Sequence, residues 1–147
     1  MKSSDALAAR LAAIAPEIKA KLVPALTKSA QEVAGRAEAL AEASRRSGDL
    51  IERIEVVAPG GVVTAGDESA QLHDLQAAVV ATAPHSHLVE HGTGPRQHKD
   101  GGSTGAMPAQ PFLLPAWRLS KPRVDRRINR AITAGIKAAA GNGGGDA

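Results

Sequence analysis

His-Leu-Val-Glu-His-Gly-Thr occupies residues 87–93, and Met-Pro-Ala-Gln-Pro-Phe-Leu-Leu-Pro-Ala-Trp occupies residues 107–117. The segment between these two blocks is rich in glycine and nearly free of large apolar residues. Proline fixes its own φ angle and biases the preceding residue toward extended geometry, so the second block is stiff without regular structure. The pattern predicts two blocks held in place by packing, with a mobile loop over residues 94–110 between them.

The acidic residue of the first block has two interpretations. In the structural one, Glu90 lies at the end of a short helix, where Gly92 supplies the cap conformation and Thr93 bonds the freed backbone groups. In the functional one, the Glu90 carboxylate pairs with a basic residue of the C-terminal segment or of a neighbouring subunit and fixes the register of an interface. Phe112 is the only Phe in the chain and is predicted to be a core residue in either case.

Helical periodicity flanks these blocks on both sides. From residue 5 onward, apolar residues recur every three or four positions, which predicts an amphipathic helix over residues 5–46. Pro16 and Pro24 interrupt this pattern, so we expect one bent helix or two abutting ones. A second helix is predicted over residues 118–140, and residues 141–147 are predicted to be a disordered tail. The predicted apolar stripe of the second helix consists of Leu119, Val124, Ile128, Ile132 and Ile136.

Between the helices the pattern changes to that of strands. Residues 54–57 and 62–64 are rich in β-branched side chains and are separated by Pro-Gly-Gly, which predicts a hairpin; residues 75–82 predict a third strand. The fold class is therefore predicted to be α+β, with a small antiparallel or mixed sheet within residues 50–83 packed against the long N-terminal helix, and with a C-terminal helix. A chain of 147 residues fits a single domain, placed at residues 1–140.

Composition excludes several classes of protein. The chain has no Cys, which excludes disulfides and thiolate metal sites. It has no apolar run of about 18 residues and no secretory signal, so we expect a protein made in the cytoplasm. One Phe and one Trp leave little for base stacking, which argues against a dedicated single-strand nucleic-acid binder.

Catalytic and metal sites find little support in the sequence. His85, His87 and His91 have spacings of two and four, and with His98 or Glu90 they could bind one zinc ion. A zinc-dependent hydrolase or regulator would need that ion in stoichiometric amount; we expect no metal and no cofactor. The Gly-rich segment lacks the Gly-Lys-Ser/Thr of a phosphate loop, and Ser86 beside two histidines is not a triad. The chain is therefore predicted not to be an enzyme.

Basic charge is concentrated toward the C-terminus, where residues 117–147 carry seven basic and two acidic side chains. Three interpretations of this helix stay open: a solvated face, a contact with the acidic side of an adjacent protein, or a face toward phosphates without base readout. The candidate basic residues are Arg123, Arg126, Arg127 and Arg130.

Three ordered blocks of this sequence resemble the tail-completion family of tailed phages, the small lambdoid-type tail terminators and head–tail joining proteins. Residues 88–93 match the family's hydrophobic-Val-Glu-x-Gly-Thr block, and residues 108–116 match its Pro-Ala-x-Pro-Phe-Leu-x-Pro-Ala block. Residues 47–54 are similar to the segment by which the family passes from its first helix into its first strand. The sequence departs from the pattern at residues 85–87, where the family usually has an aromatic and a small residue, and in a longer loop over 94–106.

The resemblance implies a structural virion protein at the tail or head–tail junction of a phage, prophage or gene-transfer particle. Such a protein would form a ring, expected to be a hexamer, that caps the tail tube and joins it to a head-side connector or stopper protein. Contact with DNA in the lumen would be non-specific at most, and no membrane partner is expected. The alternative is a small nucleic-acid-associated bacterial protein that uses the basic helix. Candidate interface residues are Glu90, Gly92, Thr93, Arg96, Pro111 and Phe112, and the four arginines named above are candidates to face the lumen or a partner.

Overall fold

The structure is a computed structural model that describes residues 2–43, 48–97 and 99–142, with the side chains of all of these except 2–14, 96, 104 and 142. Helix α1 spans Lys2–Glu42 and helix α4 spans Leu113–Asn142. Two short helices, α2 at Asp49–Glu52 and α3 at Ser86–His91, lie between them in the chain. The α+β class with a long N-terminal helix and a C-terminal helix is therefore confirmed.

The N-terminal helix is one element and not two abutting ones. Pro16 and Pro24 both lie inside α1, where each removes one backbone donor. The helix ends at Glu42, four residues before the predicted end, and residues 44–47 of the prediction lie outside the described residues.

The two long helices pack through small side chains. Ala37 and Ala41 of α1 and Ala116 and Ser120 of α4 are almost completely buried, at no more than 1% exposure. At Gly135 of α4 the approach is so close that an added Cβ would lie 2.6 Å from the Cα of Ile18. Small residues let the helix backbones approach closely, so this contact depends on the absence of side-chain volume as much as on apolar area.

The apolar stripe predicted for the C-terminal helix is only partly the buried one. Val124 is buried and Ile128 packs against the core, but Leu119 and Ile136 are 59% and 47% exposed. The helix also begins five residues earlier than predicted and continues to Asn142, so the first two residues of the predicted disordered tail are helical. Residues 143–147 lie outside the described residues.

In the described part of the chain, six short strands form three separate antiparallel pairs. They are β1 (Ile54–Val57), β2 (Val62–Ala65), β3 (Glu68–Gln71), β4 (Ala78–Ala81), β5 (Thr93–Gln97) and β6 (Ser103–Met107). The pairs are β1 with β4, β2 with β3, and β5 with β6. Only the first of these packs against α1 to cover part of the core.

The predicted hairpin of residues 54–57 and 62–64 is wrong. Strand β1 pairs instead with β4, with Ile54 opposite Ala81, while β2 turns at Gly66 and pairs with β3. The Pro-Gly-Gly segment is a turn as predicted. It leads into the separate hairpin of β2 and β3, residues 62–71, which we call the arm. Within the region predicted as sheet, residues 49–52 are helical.

The region predicted as a loop over residues 94–110 contains strands. Strand β5 pairs with β6, with Thr93 opposite Met107, and the register is irregular at Arg96 and Gln97. The mobility of this hairpin stays a prediction. Residue 98 lies outside the described residues.

Phe112 is the centre of the core, as predicted, with 1% exposure. It lies immediately before α4 and belongs to a buried cluster that includes residues of both long helices and of β1. The buried members of the cluster are Val33, Ala34, Ala37, Ala41, Leu50, Ile54, Ala83, Phe112, Ala116 and Val124.

The close contact between α1 and α4 makes a prediction about two glycines. Gly135→Ala is expected to lower the free energy of unfolding by about 1–3 kcal/mol, because the new methyl group would push against the backbone of Ile18. The matched control is Gly35→Ala in α1, where an added Cβ meets nothing within 4 Å; this change is expected to stabilise by about 0.5–1 kcal/mol through helix propensity. Urea denaturation measures both, and stabilisation by both changes would contradict the close contact.

Candidate functional site

The carboxylate of Glu90 caps the N-terminus of α4 from a distant part of the chain. Its Oε2 accepts hydrogen bonds from the backbone N–H groups of Phe112 and Leu113, both at 2.9 Å, and its Oε1 accepts one from Leu114 at 3.0 Å. The next residue is Pro115, which has no N–H to satisfy. The first bond within the helix then runs from the Ala116 N–H to the Phe112 carbonyl. One carboxylate thus satisfies every free donor of this helix end.

The same contacts lower the pKa of Glu90. Burial is the largest single influence and raises the pKa, but the three backbone N–H donors together outweigh burial, and nearby His91 adds a small lowering effect. The pKa of Glu90 therefore lies below its ordinary value of 4.5. A carboxylate at a helix N-terminus is further favoured by the helix dipole.

Backbone contacts hold the two sequence blocks together beside this cap. The Gln110 N–H donates to the Val89 carbonyl at 2.8 Å, and the Met107 N–H donates to the Thr93 hydroxyl at 3.0 Å. Gly92 has a φ of 72°, and a Cβ there would lie 2.7 Å from the Ala109 nitrogen. Only glycine fits this position, because a side chain would be strained and would also separate the blocks.

This arrangement differs from both interpretations of Glu90 made from the sequence. Gly92 does end α3, where its N–H donates to the Leu88 carbonyl at 2.8 Å, but Thr93 bonds the second block and not the end of α3. The Glu90 oxygens accept from backbone donors of α4, a role that sequence reasoning missed. One signal was available: the residues before α4, Gln110, Pro111 and Phe112, include none of the usual N-cap side chains, so a remote acceptor was needed.

The candidate interface residues lie close together in space, but their part in an interface stays a prediction. Phe112 is buried, Pro111 is exposed, and Glu90, Gly92 and Thr93 are partly buried. Arg96 belongs to β5, and its side chain is outside the described part of the structure.

Of the four candidate arginines, Arg127 is the one whose side chain is mostly buried and bonded within the subunit. Its guanidinium donates to the Ser29 hydroxyl at 3.0 Å and to the Glu32 carboxylate at 2.7 Å across the α1–α4 contact, and its side chain is only 14% exposed. The hydrogen bond from Arg127 is the main reason why the pKa of Glu32 lies below its ordinary value; burial opposes it, and the charges of Arg123, Arg127 and Arg36 assist it. Arg123 shares Glu32 at 3.4 Å.

Three other cations of α4 form an exposed stripe. Arg126, Arg130 and Lys137 are four and seven residues apart, which places them on one face of the helix. All three side chains are exposed, and within the described residues none of them lies within 4.0 Å of a carboxylate. We call these three residues the basic stripe. Arg123, Arg126 and Arg130 also line a shallow surface depression of about 590 Å3.

The histidines considered as zinc ligands do not come together among the described residues, whose His, Asp and Glu side chains form no group of three that could bind a metal ion. His85, His87 and His91 are exposed around α3, while His98 is outside the described residues. The Ser86 hydroxyl donates to the Ala81 carbonyl at 3.2 Å.

An apolar groove of about 400 Å3 lies on another side of α4, between that helix, α1 and β4. Leu114 and Trp117 lie at its rim and are 48% and 42% exposed. In the described part of the chain, no helix has the length and hydrophobicity that crossing a membrane requires.

Comparison with protein families gives a match to a phage family. The family described as "Bacteriophage HK97-gp10, putative tail-component" matches residues 5–92, more than half of the chain. The match covers α1 from residue 5 onward, α2, strands β1 to β4 and α3. It ends at Gly92, beside the cap on α4. Searches of curated proteins and of solved structures each return no match to this chain.

The cap on α4 predicts a specific pH dependence. Glu90→Gln is expected to lower the free energy of unfolding by about 1–3 kcal/mol near pH 7, because a neutral amide replaces three charge-assisted bonds. Since the native pKa lies below 4.5, the carboxylate's contribution is complete above that value and is lost as pH falls through the lower native pKa. Denaturation of both proteins between pH 7 and pH 3 should show the difference shrinking with acid.

Glu55→Gln is the control for this comparison. Glu55 is an exposed residue of β1 with no described partner, so its substitution should change stability by less than about 0.5 kcal/mol. A Glu90→Gln deficit that stays constant down to pH 3 would show that the carboxylate charge contributes nothing to the cap.

Proposed function

The chain belongs to the HK97 gp10-like family of phage tail components, and we propose that it forms a ring that caps the tail tube and joins it to the head-side connector. The family match over residues 5–92 is the observation that carries this proposal. It makes the protein a structural component of a tailed-phage virion, located in the tail. The proposal itself is the tail-terminator role, the hexameric ring, and the tube and connector as its neighbours.

The sequence blocks support this role because they build a rigid body. Glu90, Gly92 and Phe112 occupy positions where the described contacts join α3, the second block and α4. A subunit of a ring must keep two different faces at a fixed angle, since heterologous contacts close only at one rotation per subunit. The contacts at these residues fix the start of α4 relative to the β1–β4 pair, which suits that requirement.

We assign partner contact to the β5–β6 hairpin. Its described residues are exposed apart from Thr93 and Met107 at the base, and glycines at 94, 101, 102 and 105 allow the backbone to adapt. Segments of this kind often order when they meet a partner. In the proposed assembly the hairpin contacts the tube protein or the connector, while the Glu90 cap at its base stays fixed.

The alternative is a nucleic-acid-associated protein that uses the basic stripe of α4. Duplex DNA affinity that falls steeply with salt and survives removal of residues 94–110 would favour this alternative, because phosphate contacts release counterions. The stripe is short, since Arg127 and in part Arg123 pair with Glu32. The ring proposal therefore expects weak duplex binding at most.

The ring is tested by native mass spectrometry of the purified protein with electron micrographs of any oligomer. We expect a single closed species with an open centre, and we expect its addition to growing tube protein of the same particle to stop elongation at one end. A monomer that also leaves tube length unchanged would contradict the proposed function.

The hairpin assignment is tested by deleting residues 97–103, which leaves the Thr93–Met107 contact and the Glu90 cap in place. Stability should change by less than about 1 kcal/mol, because shortening a loop changes closure entropy little. Ring formation should persist, while co-sedimentation with tube or connector protein should be lost. The control is a variant of wild-type length in which residues 97–103 are replaced by glycine and serine, so that the spacing across the hairpin is kept. Unchanged co-sedimentation of both variants would remove the hairpin from the partner contact.

A further inference from the structure

We propose that the arm of one subunit docks on the basic stripe of the next, with Asp67 and Glu68 facing Arg126 and Arg130. The inference rests on the proposed ring and supplies its subunit contact. The partner is thus a second copy of this chain, recognised by opposite charge.

The stripe is a cationic surface that α4 keeps available after its described ion pairs are made, and Arg118 is a further exposed cation outside it. Arg127 is taken up by Ser29 and Glu32, and Lys121 pairs with Asp125 at 2.7 Å. Arg126, Arg130 and Lys137 are exposed and lie outside the helix face that contains the buried residues Ser120, Val124 and Gly135. Three cations on one exposed face repel one another until an anionic partner arrives.

The arm is an exposed hairpin whose two strands pair only with each other among the described residues. Its base is fixed: Leu72 is buried, its N–H donates to the Gly61 carbonyl at 2.8 Å, and Asp74 pairs with Lys19 of α1 at 2.8 Å. Its tip carries Asp67 and Glu68, both exposed. A two-stranded hairpin alone in water is marginally stable, so an arm that extends from a fixed base favours a docking role.

Charge is segregated between the two surfaces. Residues 54–94 contain five acidic residues and no Lys or Arg, whereas residues 118–137 contain seven basic residues and one acidic residue. Within the acidic segment, Asp74 is paired with Lys19 and Glu90 with backbone donors. Glu55 and the two arm carboxylates have no described partner. Complementary fields of this kind steer association and select the register of docking.

The two surfaces belong to different faces of one subunit. The arm base is attached to α1 near Lys19, while the stripe is on an exposed face of α4. No described ion pair joins the arm to α4. A contact between them therefore joins two copies, and in the proposed ring it runs head to tail, the interface type that closes into a ring.

Disulfide trapping tests this contact directly, because the chain has no Cys of its own. Glu68→Cys combined with Arg126→Cys should give, on mild oxidation, covalent oligomers larger than a dimer, since each copy links to two neighbours. Bridging requires the two Cα atoms to approach within about 7 Å. The control combines Glu68→Cys with Lys121→Cys, exposed on α4 but turned about 140° from Arg126. Equal cross-linking in both, or products that stop at a dimer, would overturn the head-to-tail contact.

Charge reversal provides a second, independent test. Asp67→Lys with Glu68→Lys, or Arg126→Glu with Arg130→Glu, should weaken subunit association about tenfold or more, and all four changes in one chain should restore it. Circular dichroism checks that each variant folds. Unchanged association in either pair overturns the proposal, and so does a stripe variant that loses only duplex DNA binding.

The two proposals fail in different ways. A wild-type ring with no trapping at 68 and 126 would leave the ring standing and reject the contact. Trapped oligomers from a protein that never caps a tube would keep the contact and reject the terminator role.

Discussion

The bond between the Glu90 carboxylate and three backbone N–H groups is the constraint on which the rest of the structure depends. Without it, α4 would begin at a position with no N-cap side chain, and its first turn would leave donors unsatisfied beside a buried Phe112. The prolines stiffen the second sequence block, and the bonds to Glu90 attach this block to α3 at one defined point. The position of the start of α4 follows from that attachment, and the packing of α4 against α1 at Gly135 and Arg127 then fixes the orientation of its surfaces.

The two sequence blocks form one structural unit around this cap and not a ready-made binding site. Gly92 is needed where the backbone of Ala109 approaches, Thr93 accepts from Met107, and Pro115 occupies the helix position where an N–H would otherwise be free. The polar groups of this unit bond to one another and hold two parts of the chain together. The surfaces that meet partners are better sought at its margins, where the arm, the β5–β6 hairpin and the basic stripe are exposed.

Sequence reasoning predicted both long helices, the fold class, the core position of Phe112 and the importance of the two blocks, because these depend on local periodicity and on proline and glycine geometry. It failed where the outcome depends on contacts between distant residues. The Pro-Gly-Gly turn suggested that β1 and β2 pair, but the partner of β1 is β4, some twenty residues further along. Arg127 was indistinguishable from its neighbours, since only the rotation of α4 against Glu32 makes it internal. Leu119 and Ile136 were expected to be buried, yet the helices meet through Ala, Ser and Gly.

The pairing of the first helix with the last also constrains how the protein is made. Ribosomes add about 5–20 residues per second, so α1 emerges several seconds before α4 can cover its alanine face. During that interval the nascent chain exposes a long amphipathic helix without its partner, a state prone to association with other chains. Because alanine contributes little apolar area per residue, that exposed face is only weakly adhesive compared with one built from leucine. The small side chains that allow the tight final contact therefore also protect the chain while it is incomplete.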